Sequence, residues 1–471
     1  MDYKDLANLI FPNAKEISYY EEKYPERDLP EGAIVTRFAP SPTGFVHIGG
    51  LYQSLIARKL ASQTNGVFFL RVEDTDQKRE VENGVTGIVN SLKDFDMAPD
   101  EGMISDTEEI GNYGPYKQSE RKDIYWAYAK KLIEEDLAYP SFATKEELDT
   151  IRETQEKSKQ RIGYYGRWAK DRFIPKEEAV ERIKNGEKFV IRLKSPGDFY
   201  KTIVVNDLIK GKIEMPENDI DEVIIKNDGL PTYHFAHAVD DHFMGTTHVI
   251  RGEEWITSLP IHYELFNTLG FELPYYLHLD SIMKQENGNK RKLSKRKDPE
   301  ASVSYLVELG YPKEAIVNYL LCLANSNYEE YFMSSKNNDT HNFKLTIEKM
   351  SKTGALFDIA KMSSISKETI SFMNIDDLVK RIEDWSKKYN NDLYKLIVYD
   401  RSKFKAIMSI GRSSENPRKE YERFDQIFDK VKFFYNEYFD SMEFLMPYDE
   451  KLVSKVKEAF LTISFKEPED I

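Results

Sequence analysis

The order of the first apolar segments constrains this chain's fold more than any other feature. AIVTRF (Ala33 to Phe38) has the β-branched and aromatic content of a short strand, and GGLYQSLIARKLASQT (Gly49 to Thr64) has helical spacing. VFFLRVED (Val67 to Asp74) then reads as another strand. Strand, loop, helix and strand in that order open a parallel α/β unit, because parallel neighbours need a crossover between them.

The 471 residues exceed what one hydrophobic core usually organises, so two to four domains are expected. Residues 1–32 read as a polar, Tyr- and Glu-rich N-terminal extension. Residues 33–115 carry the first half of the α/β domain. From 116 to 228 the pattern changes to charged helices such as EELDTIRETQEKSKQ, followed by short alternating strands such as KFVIRLK and EVIIK, and this is read as an insertion. Apolar strand material is expected to return in PTYHFAHAVDDH (Pro231 to His242) and THVIRGEEW (Thr247 to Trp255), with LPIHYELFNTLG as an amphipathic helix, so that residues 229–300 complete the sheet. The remainder, from VSYLVELGYPKEAIVNYLL onward, is read as helical in two parts, 301–375 and 376–471.

Composition removes some function classes. A single cysteine, Cys322, excludes an internal disulfide framework and any multi-cysteine zinc site, which suits a reducing cytosol. No run of about 18 apolar residues is present and the N-terminus has no basic-then-apolar pattern, so neither a membrane span nor a secretory signal is expected. The net charge of −14 argues against a generic charge-driven nucleic-acid binder, but not against one whose basic residues occupy one face.

Two motifs carry chemistry. At the strand-to-helix junction, Ala39-Pro40-Ser41-Pro42-Thr43-Gly44 is followed by His47-Ile48-Gly49-Gly50 where the helix begins. Unpaired N–H groups and the positive helix end favour a phosphate there, and Gly49 and Gly50 are expected to let a planar base approach the backbone. His47 is placed to hydrogen-bond phosphate oxygens. The second motif is the basic run Lys290 to Lys297, containing KLSKR (Lys292 to Arg296). It reads either as solvated surface charge or as a phosphate clamp in which Lys292 and Lys295 neutralise a triphosphate.

RFAPSPTGFVHIGG (Arg37 to Gly50) resembles the HIGH signature of class I aminoacyl-tRNA synthetases in its glutamyl form, and KLSKR resembles that class's KMSKS loop. RVEDTD (Arg71 to Asp76), YKQSER (Tyr116 to Arg121), PTYHFAHAVDDH and VIRGEEW are similar to glutamyl-tRNA synthetases of bacterial type in order and spacing. The resemblance implies a Rossmann-like parallel-sheet catalytic domain with an α+β connective insertion that grips the tRNA acceptor end. It also implies an all-helical C-terminal region, with a stem-contact domain at 301–375 and an anticodon-binding region, incomplete in this chain, at 376–471. ATP would be handled by Ser41, Thr43, Gly44, His47, Gly49, Glu254, Trp255, Leu293 and Lys295, with His47, Lys292 and Lys295 in the catalytic role and Mg²⁺ on the phosphates. Glutamate would be bound by Arg37, Ala39, Ser41, Glu73, Tyr233, His237 and Arg251.

That set suits the substrate. The side-chain carboxylate needs a cation, and Arg37 offers a bidentate fork, while the ammonium needs an acidic partner, which Glu73 supplies. The implied reaction joins L-glutamate to tRNA(Glu), with tRNA(Gln) as an alternative acceptor, through glutamyl-adenylate, in a cytoplasmic monomer. A glutaminyl relative would carry a Glu-Pro-Asn type loop where this chain has Ser41-Pro42-Thr43. Shorter relatives, such as a glutamyl-queuosine synthetase, lack the helical C-terminal part.

Departures from the family pattern are equally specific. Many bacterial members hold zinc through cysteines just after an Ala-Tyr pair in the insertion; here Ser141 and Ala143 stand there, so no structural zinc is expected. His237 replaces a smaller residue beside the substrate and reads equally as a packed histidine. Asp240, Asp241 and His242 are expected to form a structural hydrogen-bond network rather than a metal site. The final LTISFKEPEDI does not resemble a natural end, and the chain is expected to be truncated or a shortened variant.

Overall fold

The polar N-terminal extension folds. Asp2 and Asp5 form a reciprocal capping box at the start of α1 (Tyr3–Ile10), and α2 (Ile17–Lys23) follows. Leu6, Ala7, Phe11, Tyr20 and Tyr24 join the main hydrophobic core, and Arg27 forks onto both oxygens of Glu101 at 2.9 Å each. The computed structural model describes every residue except 1, 43, 45, 77–80, 295–296, 336–338, 353, 413–416, 440–448 and 463–471.

The expected crossover is present. β1 (Val35–Phe38), α3 (Ile48–Ser62) and β2 (Val67–Leu70) form a parallel unit in register from Val35↔Val67 to Phe38↔Leu70. α4 (Gly84–Asp94) leads to β3 (Glu101–Met103), parallel to β2, and β4 (Glu109–Ile110) closes that edge antiparallel. In the inserted region, α5 (Lys122–Glu134) precedes β5 (Ala138–Ser141), α6 (Lys145–Lys157), α7 (Lys176–Lys184) and β6 (Val190–Leu193). A hairpin, β7 (Thr202–Asp207) and β8 (Gly211–Pro216), comes next, and β9 (Val223–Ile225) completes an antiparallel sheet ordered β5-β6-β9.

The chain then returns to the parallel α/β layer through α8 (Tyr233–Phe243), β10 (His248–Gly252), α9 (Leu259–Leu269) and β11 (Tyr275–Leu279). PTYHFAHAVDDH was expected to be strand material, and it forms α8 instead. Phe235, Ala236, His237, Ala238, Val239, Asp240, Asp241 and Phe243 are all buried, so no polar stripe marks the helical period. β10 and β11 pair in parallel, and Tyr276 of β11 pairs with Asp207, which brings the β7–β8 hairpin from inside the 116–228 segment into the second half-sheet.

The two half-sheets, β4-β3-β2-β1 and β10-β11-β7-β8, abut between β1 and β10. There the Thr247 N–H donates to the Val35 carbonyl (3.1 Å) and the Thr247 hydroxyl oxygen accepts from the Val35 N–H (2.9 Å). Crossovers leave β1 and β10 in different directions, so the gap between their carboxyl ends is a topological switch point, the usual ligand crevice of such sheets.

The hairpin β12 (Met283–Glu286) and β13 (Asn289–Lys292) carries the start of the basic loop. Four helices, α10 (Val303–Glu308), α11 (Lys313–Ala324), α12 (Tyr328–Ser335) and α13 (Ile359–Phe372), end the first compact unit, Met1–Met373. The second, Asn374–Ile471, begins with α14 (Ile375–Tyr389), α15 (Asn391–Tyr399) and α16 (Arg401–Ser409), which bury Ile382, Leu396, Ile397, Phe404 and Met408.

Candidate active site

A cavity of about 560 Å³ opens at the switch point. It is bordered by the residues after β1, the start of α3, Glu73 after β2, Tyr233 at the start of α8, the end of β10 and the base of the basic loop. Arg37, Ala39, Ser41, His47, Gly49, Glu73, Tyr233, Arg251, Glu254, Trp255, Lys292 and Leu293 all line it. Thr43 and Lys295 lie outside the described residues.

Arg37 is held from behind. Both oxygens of the buried Asp241 accept from its Nε, at 3.2 and 3.3 Å, and Asp241 also takes Arg71 Nη1 at 2.6 Å. Against burial, which pushes it up, Arg37 and Arg71 hold the Asp241 carboxyl well below the usual carboxylate range. Arg71 Nη2 reaches Glu73 at 3.3 Å. Burial nevertheless pushes the Glu73 carboxyl up to about 7, against the pull of Arg71 and Arg37. Glu73 is thus a carboxylate short of positive charge beside a cavity.

Tyr233 and Trp255 pack their rings 4.3 Å apart at 34°, forming an aromatic wall. Arg251 donates from Nη2 to the Trp255 carbonyl at 3.4 Å. Gln53 of α3 donates to the Ile250 carbonyl at 2.9 Å, tying the helix to β10.

At the start of α3, His47 is the N-cap, and its Nδ1 accepts from the Gly50 N–H at 3.1 Å. In the neutral ring the proton therefore sits on Nε2. The two glycines have packing reasons more immediate than the expected base approach. A Cβ on Gly49 would meet the His47 ring at 2.9 Å, and one on Gly50 would meet Val46 at 3.2 Å and Phe38 at 3.4 Å. Gly50 is consequently part of the helix–sheet contact, and both glycines line the cavity wall.

The basic loop is anchored at its base. Asp298 accepts from Arg291 Nη1 and Nη2 (2.6 and 2.7 Å), Lys284 Nζ (3.1 Å) and the Ser294 N–H (2.9 Å). Lys292 is left half in solvent, with Nζ 3.6 Å from Glu254.

Two expected site residues stand elsewhere. Gly44, with φ +95°, does not border the cavity; its carbonyl lies where a Cβ on Gly87 of α4 would meet it at 3.0 Å. His237 does not border it either. It is fully buried behind Tyr233, its ring stacked on that ring at 5.9 Å and its Nδ1 2.8 Å from Asp241, out of line for a hydrogen bond. The larger imidazole fills the layer beneath the cavity.

Asp240 and Asp241 form the buried network expected of them, with Asp240 taking Arg121, Gln118 and Tyr125. His242 takes no part in it and stacks on Phe271 at 3.8 Å. Among the described residues no three His, Cys, Asp or Glu side chains gather as a metal site. Near Ser141 and Ala143, Asp171 accepts from the Ser141 hydroxyl (2.7 Å) and the N–H groups of Phe142 and Ala143.

Residues 33–364 match the family described as tRNA synthetases class I (E and Q), catalytic domain. The glutamate–tRNA ligase of Clostridium beijerinckii is 51% identical over 440 residues, covering 93% of this chain and 80% of that one. This chain belongs to the glutamate–tRNA ligase family. A second family member, from Acetivibrio thermocellus, is 46% identical over 98% of this chain and 85% of its own length. Among solved structures, the glutamate–tRNA synthetase of Elizabethkingia anophelis superposes with a TM-score of 0.74 at 31% identity, over 92% of this chain and 88% of that one. A glutamate–tRNA ligase from Elizabethkingia meningosepticum, solved in complex with its amino acid, gives 0.72 at 30% identity, over 92% and 87%. Among the described residues, one cavity combines a helix N-terminus, Lys292 and an aromatic wall with Arg37, Arg251 and Glu73.

Proposed function

We infer that this family member ligates L-glutamate to tRNA(Glu) with ATP, through glutamyl-adenylate, and that the cavity at the switch point is where the adenylate forms. The observation that carries the reading is the single cavity that gathers both residue groups, Arg37, Glu73, Tyr233 and Arg251 with His47, Glu254, Trp255 and Lys292.

Arg37, with its Nε committed to Asp241, offers its Nη groups to the substrate's side-chain carboxylate. Glu73 takes the ammonium, whose charge relieves the burial that raises its pKa. Glutamate's α-carboxylate oxygen attacks the α-phosphorus of ATP, the bond to the bridging oxygen breaks, and pyrophosphate leaves with the electron pair. His47 Nε2–H, the N–H groups of α3, Lys292 and Lys295 oppose the charge on the phosphates. The terminal ribose hydroxyl of tRNA then attacks the activated carbonyl and AMP leaves. No enzyme nucleophile is needed. Mg²⁺ would ride on the triphosphate as part of that substrate.

Residues 116–228 serve the tRNA acceptor end, residues 301–375 its stem and residues 376–471 its anticodon. Every assigned residue lies in one chain, so a monomer suffices, working in the cytoplasm where tRNA and ATP meet.

The test is glutamate-dependent exchange of pyrophosphate into ATP, measured with tRNA(Glu) present. Wild-type protein should exchange with glutamate and not glutamine, and Lys295→Ala should lose about a hundredfold in rate, the usual order for one electrostatic contact to a transition state. Exchange with glutamine alone would overturn the substrate assignment, and an unaltered rate in Lys295→Ala would return the basic loop to surface charge.

A further inference from the structure

Arg251 is on β10 and His278 is its register partner on β11. Arg251 Nε donates to His278 Nε2 at 3.0 Å, and Nη1 stands 3.1 Å from His262 Nδ1. A guanidinium carries five N–H donors and no acceptor, so each imidazole nitrogen facing it must be unprotonated. The proton of His278 is thereby forced onto Nδ1, where Asp207 Oδ2 accepts it at 2.7 Å. The opposite tautomer would set one N–H against another inside a buried layer.

Asp207 is fixed in turn. Its Oδ2 also accepts the His278 backbone N–H (3.0 Å), and Oδ1 takes the N–H groups of Ile209 and Lys210 (2.9 and 2.7 Å) at the turn between β7 and β8. Asp207, His278 and Arg251 are each 3% exposed or less. Arg251 also lies over the Tyr276 ring, 4.7 Å from its centroid. Its guanidinium is therefore determined on its rear side, by a carboxylate 71 residues away in sequence from the histidine it orients.

We propose that Asp207 and His278 are positioning residues for the amino-acid substrate, holding Arg251 at the angle from which it meets a glutamate carboxylate. The proposal rests on the reading that Arg251 belongs to the glutamate site. Neither residue touches the cavity. Each acts through Arg251, by hydrogen bonds that exist in one tautomer only. Because a positioned group loses much of its effect when displaced by about 1 Å, their removal should register on glutamate rather than on ATP.

The experiment compares Arg251→Lys, His278→Ala, His278→Gln and Asp207→Asn in tRNA charging, with KM measured separately for glutamate and ATP and thermal unfolding as a control. Gln can accept from Arg251 through Oε1 and donate toward Asp207 through its amide. The expected result is a KM for glutamate raised at least tenfold in His278→Ala and Asp207→Asn, largely restored in His278→Gln, with KM for ATP within twofold of wild type. The preference for glutamate over glutamine should fall in the same two variants. Should His278→Ala not fold, Asp207→Asn and His278→Gln decide. If Arg251→Lys raises the KM for glutamate while the Asp207 and His278 variants leave it unchanged, or raise both KM values alike, the positioning role is overturned and the site reading stands. If Arg251→Lys itself leaves it unchanged, the reading of the glutamate site fails.

Discussion

Glu73 must be ionised to hold an ammonium, yet in the ligand-free cavity its carboxyl is pushed up to about 7, chiefly by burial. Binding below that pH has to expel a proton. The affinity for glutamate should accordingly fall by up to about tenfold per pH unit below 7 and level off above it. Measuring KM for glutamate from pH 5.5 to 8 checks this, and Glu73→Gln should show a raised KM with the slope removed. Truncating Arg37 to Ala should raise KM for glutamate by roughly ten- to hundredfold, the loss of a hydrogen bond to a charged group worth about 1.5–3 kcal/mol; an unchanged KM would move the side-chain carboxylate elsewhere. Such residues were legible because their motifs are local in sequence. The groups that hold them were not. Asp241 lies 204 residues from Arg37, and nothing in VNDLIKGK marks Asp207 as a partner of His278.

Secondary elements explain where sequence reading failed. A helix with eight of its eleven residues buried, α8, loses the polar stripe that signals its period, while α1 and α2, at eight and seven residues, are too short to show one. α4 has a role with no local signature at all. A Cβ on Gly84, its first residue, would lie 2.6 Å from the Pro42 carbonyl oxygen, so this glycine sets how closely the helix supports the loop after β1. Gly84→Ala should displace that loop, lowering kcat/KM by about tenfold for a shift near 1 Å, with a melting temperature lowered by only a few degrees. Steady-state kinetics beside a thermal melt would separate the two effects. α9 shows how the inserted region is joined to the catalytic layer. Glu264 accepts from the Ser195 hydroxyl at 2.5 Å and from Asn218, and burial pushes its carboxyl up to about 7. A carboxyl raised in the fold above its ordinary 4.5 costs stability as pH rises from 4.5 to 7, because the unfolded chain ionises first. Glu264→Gln removes the charge, its Oε1 accepting from Asn218 and its amide N–H donating to the Ser195 oxygen, whose hydroxyl can turn to the Asn218 carbonyl 3.0 Å away. It should be more stable than wild type at pH 8, by up to about 3 kcal/mol, and equal to it near pH 4.5 in denaturant titrations; a variant less stable at pH 8 would mean that the ionised form is the one the site favours.

At the scale of the whole molecule, the sheet is assembled from two half-sheets whose abutting strands, β1 (Val35–Phe38) and β10 (His248–Gly252), lie far apart in the chain, and its crevice falls where topology puts it, between those two strands. The α/β opening was legible from three short segments. That the β7–β8 hairpin also belongs to this layer was not, since its alternating pattern, with Ile203, Val205 and Asp207 buried and the residues between exposed, fits an edge hairpin of any sheet. Among the described residues no helix is long and apolar enough to cross a membrane. On this reading the cavity activates glutamate for transfer to tRNA(Glu). Charging with radiolabelled glutamate or glutamine, on tRNA(Glu) and tRNA(Gln) separately, tests it most directly. Labelled glutamate on tRNA(Glu), with no labelled glutamine on either tRNA, is the result expected; glutamate on tRNA(Gln) as well would add a second acceptor to the same chemistry, whereas charging with glutamine, or none with glutamate on tRNA(Glu), would contradict the account.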